Sequence, residues 1–184
     1  RLAYYIRPKL RIPSNFRHDA QAIEDAGGVI MPVAEPLEVC TGLLTSGYVE
    51  RVTGEPTGLT TKVLNDDGTC GEDTVDDDQF LWARVKGQGL VVLTGCSHSG
   101  IINILRYAKK LSSSEKVSAV IGGFHLVGAK EERISWTIGE FRAAGLDLIA
   151  SGHCTGFDAA AALRQSFGQK YRPLFVGERF EFPL

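Results

Sequence analysis

Three histidines, His98, His125 and His153, stand 27 and 28 positions apart, and each closes an apolar run followed by glycines or small residues. Leu90-Val91-Val92-Leu93 leads into Thr94-Gly95-Cys96-Ser97-His98-Ser99-Gly100. Val117 to Ile121 leads into Gly122-Gly123-Phe124-His125, and Leu146 to Ala150 leads into Ser151-Gly152-His153-Cys154-Thr155-Gly156. Neutral imidazole is a good ligand for zinc, iron or manganese, and a divalent ion with an open position lowers the pKa of its water to about 7. Glycine beside a ligand lets the backbone approach closely and leaves the ring room to turn inward. The chemistry open to these residues is metal-dependent hydrolysis, and it requires that the rings meet.

The elements that would bring them together are legible in the pattern. Leu90 to Leu93 is an unbroken apolar run, as expected of a strand buried on both faces. Ile101, Ile104, Leu105, Ala108 and Leu111 then recur at helical steps. Ile134, Ile138 and Phe141 repeat the helical spacing after the second run, and the alanine-rich segment Asp158 to Phe167 follows the third. An interval of about one strand, turn, helix and return loop puts each imidazole at the carboxyl end of its own strand. If the three strands run parallel, the histidines share one edge, where sites of open α/β layers gather. The helix openings at Ser97, Ser99 and Gly100 and at Thr155 and Gly156 would offer N–H groups to an anionic substrate. His125, between Phe124 and Leu126, is open to the core or to a substrate contact as well as to the metal, and His18 has no comparable setting.

Elsewhere Leu2 to Ile6 reads as a strand, residues 7–16 as a loop around Pro8 and Pro13, and His18 to Ala26 as a short helix closed by Gly27-Gly28. Val29 to Val49 reads as a meander, Gly54 to Asp78 as a long surface loop, and Phe80 to Val85 as a strand. Closing strands are expected at 171–176 and 179–182. The fold class is α/β, a β-rich first half followed by three strand-turn-helix units.

The 184 residues, 43% of them hydrophobic, are enough for one domain or most of one. A net charge of −2 provides no broad basic face for nucleic acid. No apolar run is long enough to span a bilayer, so the expectation is a soluble, cytoplasmic protein acting on a small molecule. Cys40, Cys70, Cys96 and Cys154 form no CxxC pair and are expected to be reduced thiols. Cys96 and Cys154 each adjoin a candidate ligand, which leaves open thiolate ligation or simple packing. The chain opens with Arg1 directly into a strand-like segment, as expected of a processed product or a piece of something longer.

In this order and at this spacing, TGCSHSG, IGGFHL and SGHCTGF resemble the second half of the metallo-β-lactamase superfamily. They are most similar to its branch of dihydropterin-ribofuranosylaminobenzene-phosphate synthase. Pro36 to Val39, Gly47 to Arg51, Glu55 and Asp77-Asp78-Gln79 extend that resemblance over nearly the whole chain from about Ala3. The resemblance implies an αββα sandwich, here incomplete, a site for one or two metals between the sheets, and hydrolysis by metal-activated water at a phosphate ester or similar electrophile. His98, His153 and His125 would be ligands of a divalent metal, zinc first, with iron or manganese as alternatives. The superfamily run His-x-His-x-Asp-His is absent from the sequence, so residues 1–184 are expected to be the carboxyl-terminal portion of such a domain. An amino-terminal half or another subunit would complete the site. Where the superfamily often places an aspartate after the glycine that ends the strand matching Leu90 to Leu93, this chain has Cys96.

Two other readings compete. Gly95-Cys96-Ser97-His98-Ser99 is close to a nucleophile elbow, and Asp147 and His153 follow in triad order, although Ser99 replaces the second glycine and Asp147 begins its strand. A half-domain or degenerate relative that binds a metabolite or partner without turnover is the third reading.

Overall fold

The structure, a computed structural model, describes residues 2–7, 10–14, 17–56, 62–64, 68–113 and 116–182, with the backbone alone for 2–20, 63 and 64. Its strands form two sheets. The smaller has four strands in the order β2 (Leu10–Ser14), β1 (Leu2–Arg7), β5 (Lys62–Leu64) and β6 (Cys70–Glu72), all pairing antiparallel. Two sequence expectations are corrected here. Part of the segment around Pro8 and Pro13 is a strand, and Pro13 is tolerated because β2 lies at the sheet edge, where a missing N–H breaks no inner ladder. The expected surface loop 54–78 contains β5 and β6, too short and polar to show periodicity. The helix expected at 18–26 is α1 (Arg17–Asp25).

The larger sheet has seven strands. Its order is β11 (Tyr171–Pro173), β10 (Leu148–Ser151), β9 (Val117–Gly122), β8 (Gly89–Thr94), β7 (Phe80–Val85), β4 (Leu43–Thr45), β3 (Leu37–Cys40). Strands β8, β9, β10 and β11 run parallel, whereas β3, β4 and β7 pair antiparallel. Helices α2 (Ile101–Leu111), α3 (Glu131–Ala144) and α4 (Phe157–Phe167) connect or follow the parallel strands. The meander of the first half is the β3–β4 hairpin feeding β7. Of the expected closing strands, only Tyr171–Pro173 pairs, and the remaining described residues through 182 are not in strands.

Alternation along the strands divides the core in two. Leu90, Val92, Val117, Val120 and Ile149 face the helices and pack with Ile101, Ile104, Leu105, Ile138, Phe141 and Leu163. Each such fully buried aliphatic or aromatic side chain contributes about 1.5–3 kcal/mol. Val91, Ala119, Ile121 and Ala150 face the other way, against Leu174, Phe180 and Phe182 of the closing segment. Leu93, two residues beyond Val91, remains 36% exposed. No helix among the described residues is long and apolar enough to cross a membrane.

Candidate metal centre

Parallel pairing of β8, β9 and β10 brings the three glycine-rich turns to one edge, as the sequence pattern requires. The turns are laced together. The amide of Gly123 donates to the Gly95 carbonyl at 2.9 Å, and Ser97 Oγ donates to the Gly123 carbonyl at 2.6 Å. The amides of Phe124 and His125 donate to Thr155 Oγ1 at 3.1 Å and Cys154 Sγ at 3.3 Å, while that of Val127 donates to the Cys154 carbonyl at 3.0 Å. Such close approach depends on glycine. A Cβ at Gly122, where φ is +147°, would lie 2.0 Å from the Thr94 carbonyl oxygen, and one at Gly123 would lie 2.8 Å from Cys154 Sγ.

Each turn also holds a non-glycine residue in the left-handed region: Ser97 at φ 61°, His125 at 48° and His153 at 52°. Such a conformation costs on the order of 1 kcal/mol or more per residue and gathers where side-chain direction matters more than local comfort.

The structure sorts the predicted ligands into two neighbouring groups. His98 and His125 lie with ring centroids 4.6 Å apart at 62°, both half-buried. His153, exposed in a turn of 3-10 helix, places Nε2 2.9 Å from Cys96 Sγ. Cys154 adds its thiol, which donates to the Cys96 carbonyl at 3.3 Å, and the ligand atoms of Cys96, His153 and Cys154 all lie within 4.8 Å of one another. Burial pushes the Cys96 thiol up to about 12, assisted by Cys154 and by the charge of Asp78. A cation would oppose each of these effects. Two thiols and an imidazole are donors suited to zinc, so the residues present fit a divalent ion.

The residues expected to receive an anion are engaged by the protein itself. At the opening of α2 the buried Glu55 carboxylate accepts the amides of Ile101 at 3.1 Å and Ile102 at 3.0 Å, and Arg133 stands 4.0 Å from it. A Cβ at Gly100 would meet Glu55 Oε2 at 2.4 Å. Ser99 donates through its amide and hydroxyl to Asp78 Oδ2, at 2.9 and 2.5 Å. Thr155 is buried and accepts from Phe124, and Gly156 packs against Val127. Burial raises the Glu55 pKa, against the lowering effect of the α2 amides and Arg133.

Asn103 completes this support. Its Oδ1 accepts the amides of Val52 at 2.8 Å and Thr53 at 2.9 Å, and its Nδ2 donates to the Ser99 carbonyl at 2.8 Å. Periodicity alone did not single out Asn103. It falls outside the apolar stripe of Ile101, Ile104, Leu105 and Ala108 and is buried where it meets the backbone of Val52 and Thr53, a tertiary contact that local spacing does not report.

The elbow arrangement does not form. Ser97 is 1% exposed and its hydroxyl proton goes to Gly123, while His153 contacts Cys96. Asp147 precedes the opposite end of β10 and pairs with Lys116 and Lys170.

No family model matches the chain. It is 36% identical over 165 residues to 7,8-dihydropterin-6-methyl-4-(beta-D-ribofuranosyl)-aminobenzene-5'-phosphate synthase of Methanocaldococcus jannaschii, covering 87% of the chain and 55% of that relative. It is 38% identical over 133 residues to an uncharacterized protein of the same organism, covering 72% of the chain and 48% of the relative. A crystal structure described as a metal-dependent hydrolase of the beta-lactamase superfamily matches with a TM-score of 0.70 and 29% identity, over 84% of this chain and 58% of that one. The chain thus spans about half the length of the curated relatives it matches.

Proposed function

Because the chain belongs to the metallo-β-lactamase superfamily and is similar to its dihydropterin-linked synthase branch, we propose that it supplies ligands to the metal centre of a hydrolase. The observation that carries this reading is the convergence of three strand-end turns. They place His98 beside His125 and His153 beside Cys96, with 4.6 Å between the first two rings and 2.9 Å between the second two groups.

His98, His125 and His153 are the ligands by this reading, and a divalent ion, zinc first, supplies Lewis acidity and lowers the pKa of water at its open position. The chain's own residues do the positioning. Glu55 and Asn103 fix the start of α2, Asp78 holds Ser99, and the glycines at 122 and 123 keep the turns close enough to share a site. Exposed Val127 and Phe157, 63% and 87% accessible, stand on the second and third turns and offer apolar contact to a planar ring. By this reading the substrate class is a phosphate ester joined to a pterin-like ring, chemically akin to the compound in the synthase relative's name.

The remaining ligands come, in this proposal, from a His-x-His-x-Asp-His segment outside these 184 residues, on a longer chain or another subunit.

The test is hydrolysis of a chromogenic phosphodiester by the chain, alone and combined with a separately produced segment bearing His-x-His-x-Asp-His. Turnover that chelator abolishes and zinc or manganese restores supports the proposal. Absence of metal-dependent turnover in both preparations, each folded by circular dichroism, would leave the non-catalytic binding module as the better reading.

A further inference from the structure

We propose that Cys96, Cys154 and His153 form a sulfur-rich cation subsite, selective for a thiolate-seeking divalent ion such as zinc, beside the imidazole pair His98 and His125. The inference rests on the metal-dependent reading above and deepens it by assigning ligand roles to the two thiols.

The geometry is that of a site needing small adjustment. Around a tetrahedral zinc ion, with Zn–S near 2.3 Å and Zn–N near 2.0 Å, neighbouring donors stand about 3.5 to 3.8 Å apart. The three donor atoms here all lie within 4.8 Å of one another, and the Cys96 to His153 separation is 2.9 Å. Motions of about 1 Å, within reach of a cysteine rotamer change, would bring them to ligand spacing.

The backbone around the cluster is arranged at a cost. His153 and Ser97, which borders Cys96, both occupy the left-handed region, at φ 52° and 61°. Gly123 carries no side chain where a Cβ would sit 2.8 Å from Cys154 Sγ and 3.3 Å from His153 Cδ2. The amide of His125 points at Cys154 Sγ at 3.3 Å, a donor that stabilises negative charge on sulfur.

The donor chemistry separates the two groups. Two thiolates neutralise a dication, so this subsite would hold its ion tightly and leave it a weaker Lewis acid. Neutral imidazoles leave the full charge, which places the stronger polarising power on the side of His98 and His125.

The test is titration of the reduced, metal-free chain with cobalt(II) and zinc, in a Cys40→Ser, Cys70→Ser background that removes the two exposed thiols. The wild-type site is expected to give intense sulfur-to-cobalt charge-transfer absorption in the near ultraviolet. Cys96→Ser and Cys154→Ser should each reduce it, and the double variant should abolish it. Loss of an outer-shell partner alone weakens metal binding about 10- to 100-fold, so loss of a direct donor should weaken zinc binding by roughly 100-fold or more.

Alkylation of the chain with all four cysteines gives a readout that needs no variant. Zinc should shield Cys96 and Cys154 from iodoacetamide while Cys40 and Cys70 continue to react. Cobalt bound without charge-transfer absorption, and unchanged in the double variant, would overturn the sulfur assignment while leaving the histidine reading intact. Failure of the reduced chain to bind cobalt would overturn it too, whereas the hydrolase reading is decided separately by the phosphodiester assay.

Discussion

Cys96 Sγ and His153 Nε2 lie 2.9 Å apart although 57 positions separate them in the chain. Two parallel strands, β8 and β10, deliver them to the same edge with β9 between, and the β9 turn contributes His125 and the glycines that let the neighbours close. The contact therefore reports on the whole crossover arrangement, and a change in the β9 turn that lies between the two should be felt there.

Gly123→Ala is the sharpest such change. Its methyl would lie 2.6 Å from the Gly95 carbonyl oxygen and 2.8 Å from Cys154 Sγ. Overpacking at this point should cost about 1–3 kcal/mol in urea unfolding. It should also weaken zinc binding. Unchanged stability and affinity together would show that the turns can separate without consequence.

Glu55 should make stability depend on pH. Burial raises its pKa above the ordinary value of 4.5, so the folded chain holds this proton more tightly than the unfolded chain. Its linked stabilisation is full below the unfolded pKa and is lost as pH rises through the raised folded value. Glu55→Gln should flatten that part of the profile of urea midpoint against pH. An identical slope in the variant would assign the dependence elsewhere.

Asn103→Ala removes the acceptor for two amides and a donor to the Ser99 carbonyl from a fully buried position. The expected cost is about 2–3 kcal/mol. Amide exchange at Val52 and Thr53 should accelerate well before global unfolding, because both amides would lose their acceptor while Glu55 still holds the loop to α2.

The metal and elbow readings part at Asp147. Its pKa is lowered chiefly by a hydrogen bond from Lys116, with Lys170 assisting, at the far end of β10. Asp147→Asn should change stability by less than about 1 kcal/mol, as for other exposed pairs, and leave metal content unaltered. Fluorophosphonate should not label Ser97, whose hydroxyl is buried and committed to Gly123.

Much of the second half was legible in the sequence because its signals are strong. The run at 90–93, the helical spacing from Ile101 to Leu111 and the interval between histidines gave β8, α2 and the shared edge. In the first half, Lys62–Leu64 and Cys70–Glu72 are three-residue strands whose identity comes from pairing with distant partners. Local pattern cannot report such pairing. Pro13 argued for a loop, but a strand at a sheet edge tolerates it. At the site, the histidines were visible and the division among them was not. Which imidazole meets which neighbour is set by left-handed turns at Ser97, His125 and His153, and these three residues, unlike glycine, do not advertise that conformation.

Metal content per chain tests the central claim most directly. Elemental analysis of the purified chain, after zinc loading and removal of free ion, should find stoichiometric zinc. In the His98→Ala, His153→Ala double variant the content should fall well below that level while circular dichroism stays native. Equal zinc in the two proteins, or none in the wild type, would contradict a metal centre built from the strand-end histidines.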